Sequence, residues 1–185
     1  MSKNVSVLVE AAIFAALAMA LSMLPDFASW FTPSFGAIPL ILFSLRRGPK
    51  YGILAGLIWG LLHFVLGKVY YLSISQVLIE YILAFACMGT AGFLTTPLQK
   101  ALKSQQTKSA LLFALSGACL ATILRYIWHY VAGIIFWSSY APEGMSASWY
   151  SFTVNGTAGG LTLFFVIISI VILLKSQPKF FQPNH

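Results

Sequence analysis

From Val5 to Leu174 the chain alternates long apolar stretches with short polar connectors, and this alternation restricts its fold more than any single motif. Six stretches can be drawn, at roughly 5–24, 35–45, 50–66, 71–96, 109–137 and 147–174, most of them near the ~20 residues that carry a helix across a bilayer. Only 8% of residues are charged and 59% are hydrophobic, whereas a soluble domain carries ~25% charge. The expectation is an all-α, polytopic membrane protein: a six-transmembrane-helix bundle forming one domain over residues 1–185.

The second stretch is too short to cross alone, and Pro33, Gly36 and Pro39 interrupt it. Phe27–Phe35 therefore reads as a re-entrant or lid loop between helices 1 and 2, because irregular backbone survives at membrane depth only where protein or a cavity covers it. The first stretch lacks a small-x-small cleavage site before Pro25-Asp26 and reads as a retained span rather than a signal peptide.

A net charge of +7 would suit a nucleic-acid partner if the basic residues were clustered, but they sort by membrane side. Lys3, then Arg46, Arg47 and Lys50, then Lys100, Lys103 and Lys108, then Lys175 and Lys179 occupy the N-terminus, alternate connectors and the C-terminus. The positive-inside rule puts all of these in the cytoplasm, with both termini inside a cell (plasma) membrane crossed several times. The opposite connectors carry Asp26, Lys68 and Glu143 with no basic excess.

Polar groups inside lipid are expensive and usually face a bundle interior or a watery cavity. Arg125, His129, Gly133 and Trp137 follow one another at four-residue spacing and share a helix face. Counting ~1.5 Å per residue from the non-basic end puts Glu80 ~13 Å, Asn155 ~12 Å and His129 ~12 Å deep, so three helices bring polar groups to one level. Trp137 and Tyr150 adjoin that level as candidate stacking groups, whereas Tyr71, Tyr140 and Trp149 read as an interfacial aromatic belt. A buried carboxylate without a fixed counter-charge favours a cationic ligand, and aromatic faces add cation–π attraction. Arg125 lies one turn deeper than His129 and could instead pair with Glu80 as a structural ion pair; both readings fit. His63 reads as a satisfied structural histidine.

Glu10, near the basic end of helix 1, is expected to remain hydrated. Ala12, Ala16 and Ala20 form a smooth stripe beside Ala11 and Ala15 on helix 1, and Gly52, Gly56 and Gly60 form a second on helix 3; small-xxx-small faces admit close helix approach. Cys87 and Cys119 have neither C-x-x-C spacing nor a second pair, so no disulfide framework, metal site or cofactor is indicated.

The segments L-R-R-G at 45–48, G-L-I-W-G at 56–60, S-Q-V-L-I-E-Y at 75–81, H-Y-V-A-G-I-I-F-W at 129–137 and Y-S-F-T-V-N-G at 150–156 resemble the thiamine-specific S-components of energy-coupling factor vitamin transporters. The resemblance covers essentially the whole chain. It implies a six-helix membrane bundle with a lidded site near the outer surface, in which Glu80, His129, Trp137, Tyr150 and Asn155 contact thiamine. Trp30 from the covering loop and Tyr70 before helix 4 would complete the pocket, and Gly133 would give the ligand access to the backbone. It further implies that Ala12 and Ala16 dock on the transmembrane (T) component of an energising module with two ATPase subunits. Ser34 departs from the pattern, since some members carry an acidic residue there.

Other classes fit less well. Ser116 and His129 lie ~20 Å apart along one helix axis, too far for a nucleophile and its base, and the chain has no Walker A loop, so it is not read as an enzyme. Polarity concentrated in one half of the span is unlike a channel lining. A stand-alone secondary transporter for a small cationic heterocycle is the alternative, although no internal repeat is evident.

Overall fold

The computed structural model describes residues 3–25 and 31–183, and every regular element among them is helical. In chain order these are α1 (Lys3–Leu21), α2 (Ala37–Arg47), α3 (Pro49–Val65), α4 (Ile74–Lys103), α5 (Thr107–Phe136) and α6 (Ala147–Ser176), with 3-10 turns at Ser138–Tyr140 and Pro178–Phe181. Four of them, α1, α4, α5 and α6, are long and apolar enough to cross a bilayer. Only 33% of the most apolar part of α6 is buried, and large side chains such as Ile13, Leu17, Ile123, Phe152 and Ile172 point outward. A helix apolar all round and buried on one side needs lipid on the other.

The short α2 forms the axis of the bundle. Leu40, Ile41, Phe43 and Leu45 are fully buried in a core with Trp59, Met88 and the α5 stripe Ala110, Ala114, Ala118 and Ala121. Pro39 falls in the first turn of α2, where its missing N–H costs little. Gly48 alone turns α2 into α3: its φ of +88° is accessible to glycine, its N–H closes on the Ser44 carbonyl at 2.8 Å, and Pro49 starts α3 with a preset φ.

Glycines let α3 and α4 meet backbone to backbone. A Cβ at Gly56 would strike the Phe85 carbonyl, and one at Gly60 the Tyr81 carbonyl. The helix α4 departs from the expected stretch in three ways. It starts at Ile74, where Ser73 caps it by accepting from the Gln76 N–H at 3.1 Å, so Tyr70 and Tyr71 precede the helix. It continues to Lys103, and it contains a wide π-turn at Leu78–Leu83 and a tight 3-10 segment at Cys87–Leu94.

On α1 the two alanine rows part company. Ala11, Ala15 and Ala18 are fully buried, whereas Ala12, Ala16 and Ala20 lie exposed on the opposite side. Glu10 is not simply hydrated as expected: Arg46 and Arg47 each bring Nε to 2.5 Å from one of its carboxylate oxygens, tying α1 to the end of α2. The described part of the α1–α2 connector turns inward. The Ser34 N–H donates to Thr162 Oγ1 at 2.9 Å and Phe35 packs edge-on against Phe165 at 5.1 Å, both on α6.

Candidate ligand-binding site

At the non-basic end of the bundle a cavity of about 330 Å³ opens between α4, α5 and α6. This lies within the ~300–1,000 Å³ usual for small-molecule sites. Tyr70, Glu80, His129, Gly133, Trp137, Tyr150 and Asn155 all line it. Trp30 lies outside the described residues.

Glu80 is the focus of one wall. It sits in the π-turn, six residues from the start of α4 and thus ~9 Å deep, shallower than a start at Tyr71 implied. The residue is 9% exposed, and its carboxylate is held by two neutral donors: Gln76 Nε2 donates to Oε2, and Trp137 Nε1 donates to Oε1 at 3.0 Å. Gln76 is itself fully buried and fixed, its Oε1 accepting from the Leu72 N–H at 3.2 Å. Neutral donors orient a carboxylate without cancelling its charge.

Arg125 does not pair with Glu80. Its Nη1 donates to Ser34 Oγ at 2.9 Å and its Nε to His129 Nε2 at 3.4 Å, while the guanidinium lies over the rings of Phe85, Trp59 and Tyr126 at 4.7, 4.8 and 5.5 Å. Arginine cannot accept a hydrogen bond, so this contact makes Nε2 of His129 the acceptor and leaves Nδ1 to carry the proton. The cation is thus held by ring faces and a hydroxyl, and the structural ion pair open from the sequence is not formed.

On α6, Asn155 Nδ2 donates to the Ser151 carbonyl at 3.1 Å, to Ser151 Oγ at 3.2 Å and to the His129 carbonyl at 3.3 Å, which fixes the amide plane and leaves Oδ1 as an acceptor. Ser151 Oγ in turn donates to the Tyr130 carbonyl at 2.8 Å. Gly133 lines the cavity and has a packing use as well. A Cβ there would run into Ser151 Oγ and approach Asn155 Nδ2, so the missing side chain lets α6 close on α5 as well as bordering the cavity.

Aromatic rings close the mouth. Tyr70 meets Trp137 edge-on at 5.8 Å, and Trp137 meets Tyr140 at 5.3 Å. Tyr140, which the sequence assigns to the interfacial belt, lines the cavity, as does His63; His63 is satisfied as expected, its Nδ1 lying 2.9 Å from the Trp59 carbonyl. Tyr71 and Trp149 are well exposed, as a belt requires. Tyr81, Phe85 and Ser151 also contribute and were missed, although Ser151 sits four residues before Asn155 inside the Y-S-F-T-V-N-G segment.

A helical membrane bundle that encloses a polar, aromatic-walled cavity within an apolar exterior is a membrane protein built to bind a small molecule, and relatives define the class more narrowly as transporters. The sequence profile of the Thiamine transporter protein family (Thia_YuaJ) matches residues 8–182. The chain belongs to this family. It is 33% identical to the thiamine transporter ThiT of Lacticaseibacillus paracasei over 97% of this chain and 92% of that one. It is 32% identical to ThiT of Bacillus subtilis over 99% and 97% of the respective chains. A solved structure of ThiT from Listeria monocytogenes superposes with a TM-score of 0.93 at 43% identity, covering 97% of this chain and 99% of that one.

Proposed function

We propose that this chain is the thiamine-binding S-component of an energy-coupling factor transporter, a non-enzymatic substrate-binding subunit comprising one domain over residues 1–185. The observation that carries the reading is Glu80, a buried carboxylate held by Gln76 and Trp137 with no ion pair among the described residues, in an aromatic-walled cavity whose lining cations, Arg125 and Lys68, are not bonded to it. Thiamine is cationic at its thiazolium ring and offers a flat pyrimidine with hydrogen-bonding edges. Glu80 supplies the counter-charge, Trp137, Tyr70 and Tyr150 supply ring faces, and Asn155 and His129 read the pyrimidine edge. Trp30 closes over the ligand from the α1–α2 connector as part of a lid.

All six helices cross the cell membrane in this reading, α2 with the help of its preceding connector, and the basic end with both termini faces the cytoplasm. The exposed row of Ala12 and Ala16 is the docking face for the T component, which brings two ATPase subunits. The deciding experiment is titration of the purified protein with thiamine and with its pyrimidine and thiazole halves, together with uptake in cells with and without the energising module. Tight thiamine binding with uptake that requires the module is expected. Uptake by this chain alone would make it a stand-alone secondary transporter, and absence of thiamine binding would overturn the ligand assignment.

A further inference from the structure

At the opposite, basic end of the bundle a second cavity, of about 720 Å³, separates the end of α4 and the start of α5 from the end of α6. Its two halves differ in chemistry. Deeper in, the wall is aliphatic: Ala110 and Leu111 stand one turn inside α5, and Val171 and Leu174 about one turn inside the end of α6. At the mouth stand Lys103, the last residue of α4, Lys175 in the last turn of α6, and Lys179 in the 3-10 turn that follows, all exposed, together with Gln105 and Gln182.

Among the described residues no carboxylate accounts for this charge. Among the described residues the acid at this end is Glu10, and Arg46 and Arg47 occupy both of its oxygens. Glu80 and Glu143 belong to the other end, at the start of α4 and before α6. The carbonyl ends of α4 and α6 attract Lys103 and Lys175, but Lys179 has no such partner, and the N-terminus of α5 borders the cavity through Thr107 with no side-chain cap on its N–H groups. The mouth is left electropositive at the ends of the apolar helices, above an aliphatic slot.

We infer that this cavity is a binding site for an anionic phospholipid of the adjacent leaflet, the phosphodiester held by Lys103, Lys175 and Lys179 and an acyl chain lying between α5 and α6. A basic pocket between helix ends is the usual setting for such head groups.

Native mass spectrometry of the protein released from nanodiscs of equal phosphatidylglycerol and phosphatidylcholine tests this directly. Wild type should retain phosphatidylglycerol. The variant K103Q/K175Q/K179Q should lose it by about a hundredfold, since each surface lysine is worth about fivefold in affinity and the three factors multiply. The equally discharged variant K50Q/K100Q/K108Q should change retention by no more than about twofold. Leu111→Trp, which fills the slot and keeps every charge, should also release the lipid. Equal losses in the two lysine variants would mean diffuse attraction and overturn the site, as would retention of phosphatidylcholine in equal amount. Displacement by soluble glycerol phosphate at matched concentration would reduce it to an anion site with no acyl slot and overturn the lipid assignment.

Discussion

The indole N–H of Trp137, at the very end of α5, donates to the Glu80 carboxylate across 3.0 Å, and so joins the mouth of the cavity to the π-turn of α4. The contact makes the buried acid and the gateway aromatic one unit. A ligand that stacks on the ring also meets the charge that the ring orients.

Glu80→Gln keeps the size of the side chain and removes its charge. Loss of one charge-assisted interaction costs about 1.5–3 kcal/mol, so thiamine affinity should fall roughly ten- to a hundredfold. Calorimetry on the folded variant checks this; unchanged affinity would remove Glu80 from the ligand.

Trp137→Phe preserves a ring against Tyr70 and Tyr140 but deletes the donor to Glu80. Affinity should drop by less than in Glu80→Gln, and the ligand-induced change in tryptophan emission should shrink to the part that Trp30 contributes. If the emission change persists in full, its source is another indole and Trp137 does not report on the ligand.

Gly133→Val places a branched side chain where Ser151 and Asn155 stand against α5. Overpacking of this kind costs about 1–3 kcal/mol. Thermal unfolding in detergent should show a lower midpoint, with part of the loss recovered on adding Ser151→Ala. A variant as stable as wild type would show that α6 can withdraw from α5 freely.

Ala12→Trp with Ala16→Trp adds bulk to the exposed row of α1 and leaves the cavity untouched. Thiamine binding by the isolated chain should be retained within about twofold, while uptake in cells and co-purification with the energising module should both fail. Normal uptake would assign the docking face to another helix.

Much of this arrangement is written in local pattern. The four-residue spacing from Arg125 to Trp137 fixes one wall of the cavity because α5 is regular throughout, and Leu45-Arg-Arg-Gly48 reads as a turn because only glycine accepts the angle. Ser73 to Gln76 is a capping pattern that marks the true start of α4, and hydropathy alone overran it by three residues. Other features depend on partners distant in sequence. Ser34 reaches Arg125 across 91 positions, so the aromatic cage and hydroxyl that replace an ion pair leave no periodic trace. Gly133 faces both a cavity and a helix, and spacing cannot say which of the two needs the absent side chain.

The π-turn at Leu78–Leu83 has a consequence for how this site can vary. Below it, Gly89 and Gly92 must meet α3 and the turn before it, since a Cβ at either would strike backbone; within it, Glu80 must face the cavity. An unbroken α-helix advances by about 100° per residue and offers one fixed phase between those demands. The wide turn inserts a phase offset, so that the helix meets both. Deleting one residue between Leu78 and Leu83 would restore regular hydrogen bonding and rotate the acid out of register with Trp137. The binding wall and the packing wall of α4 are therefore independently adjustable, and the irregular turn is the joint between them.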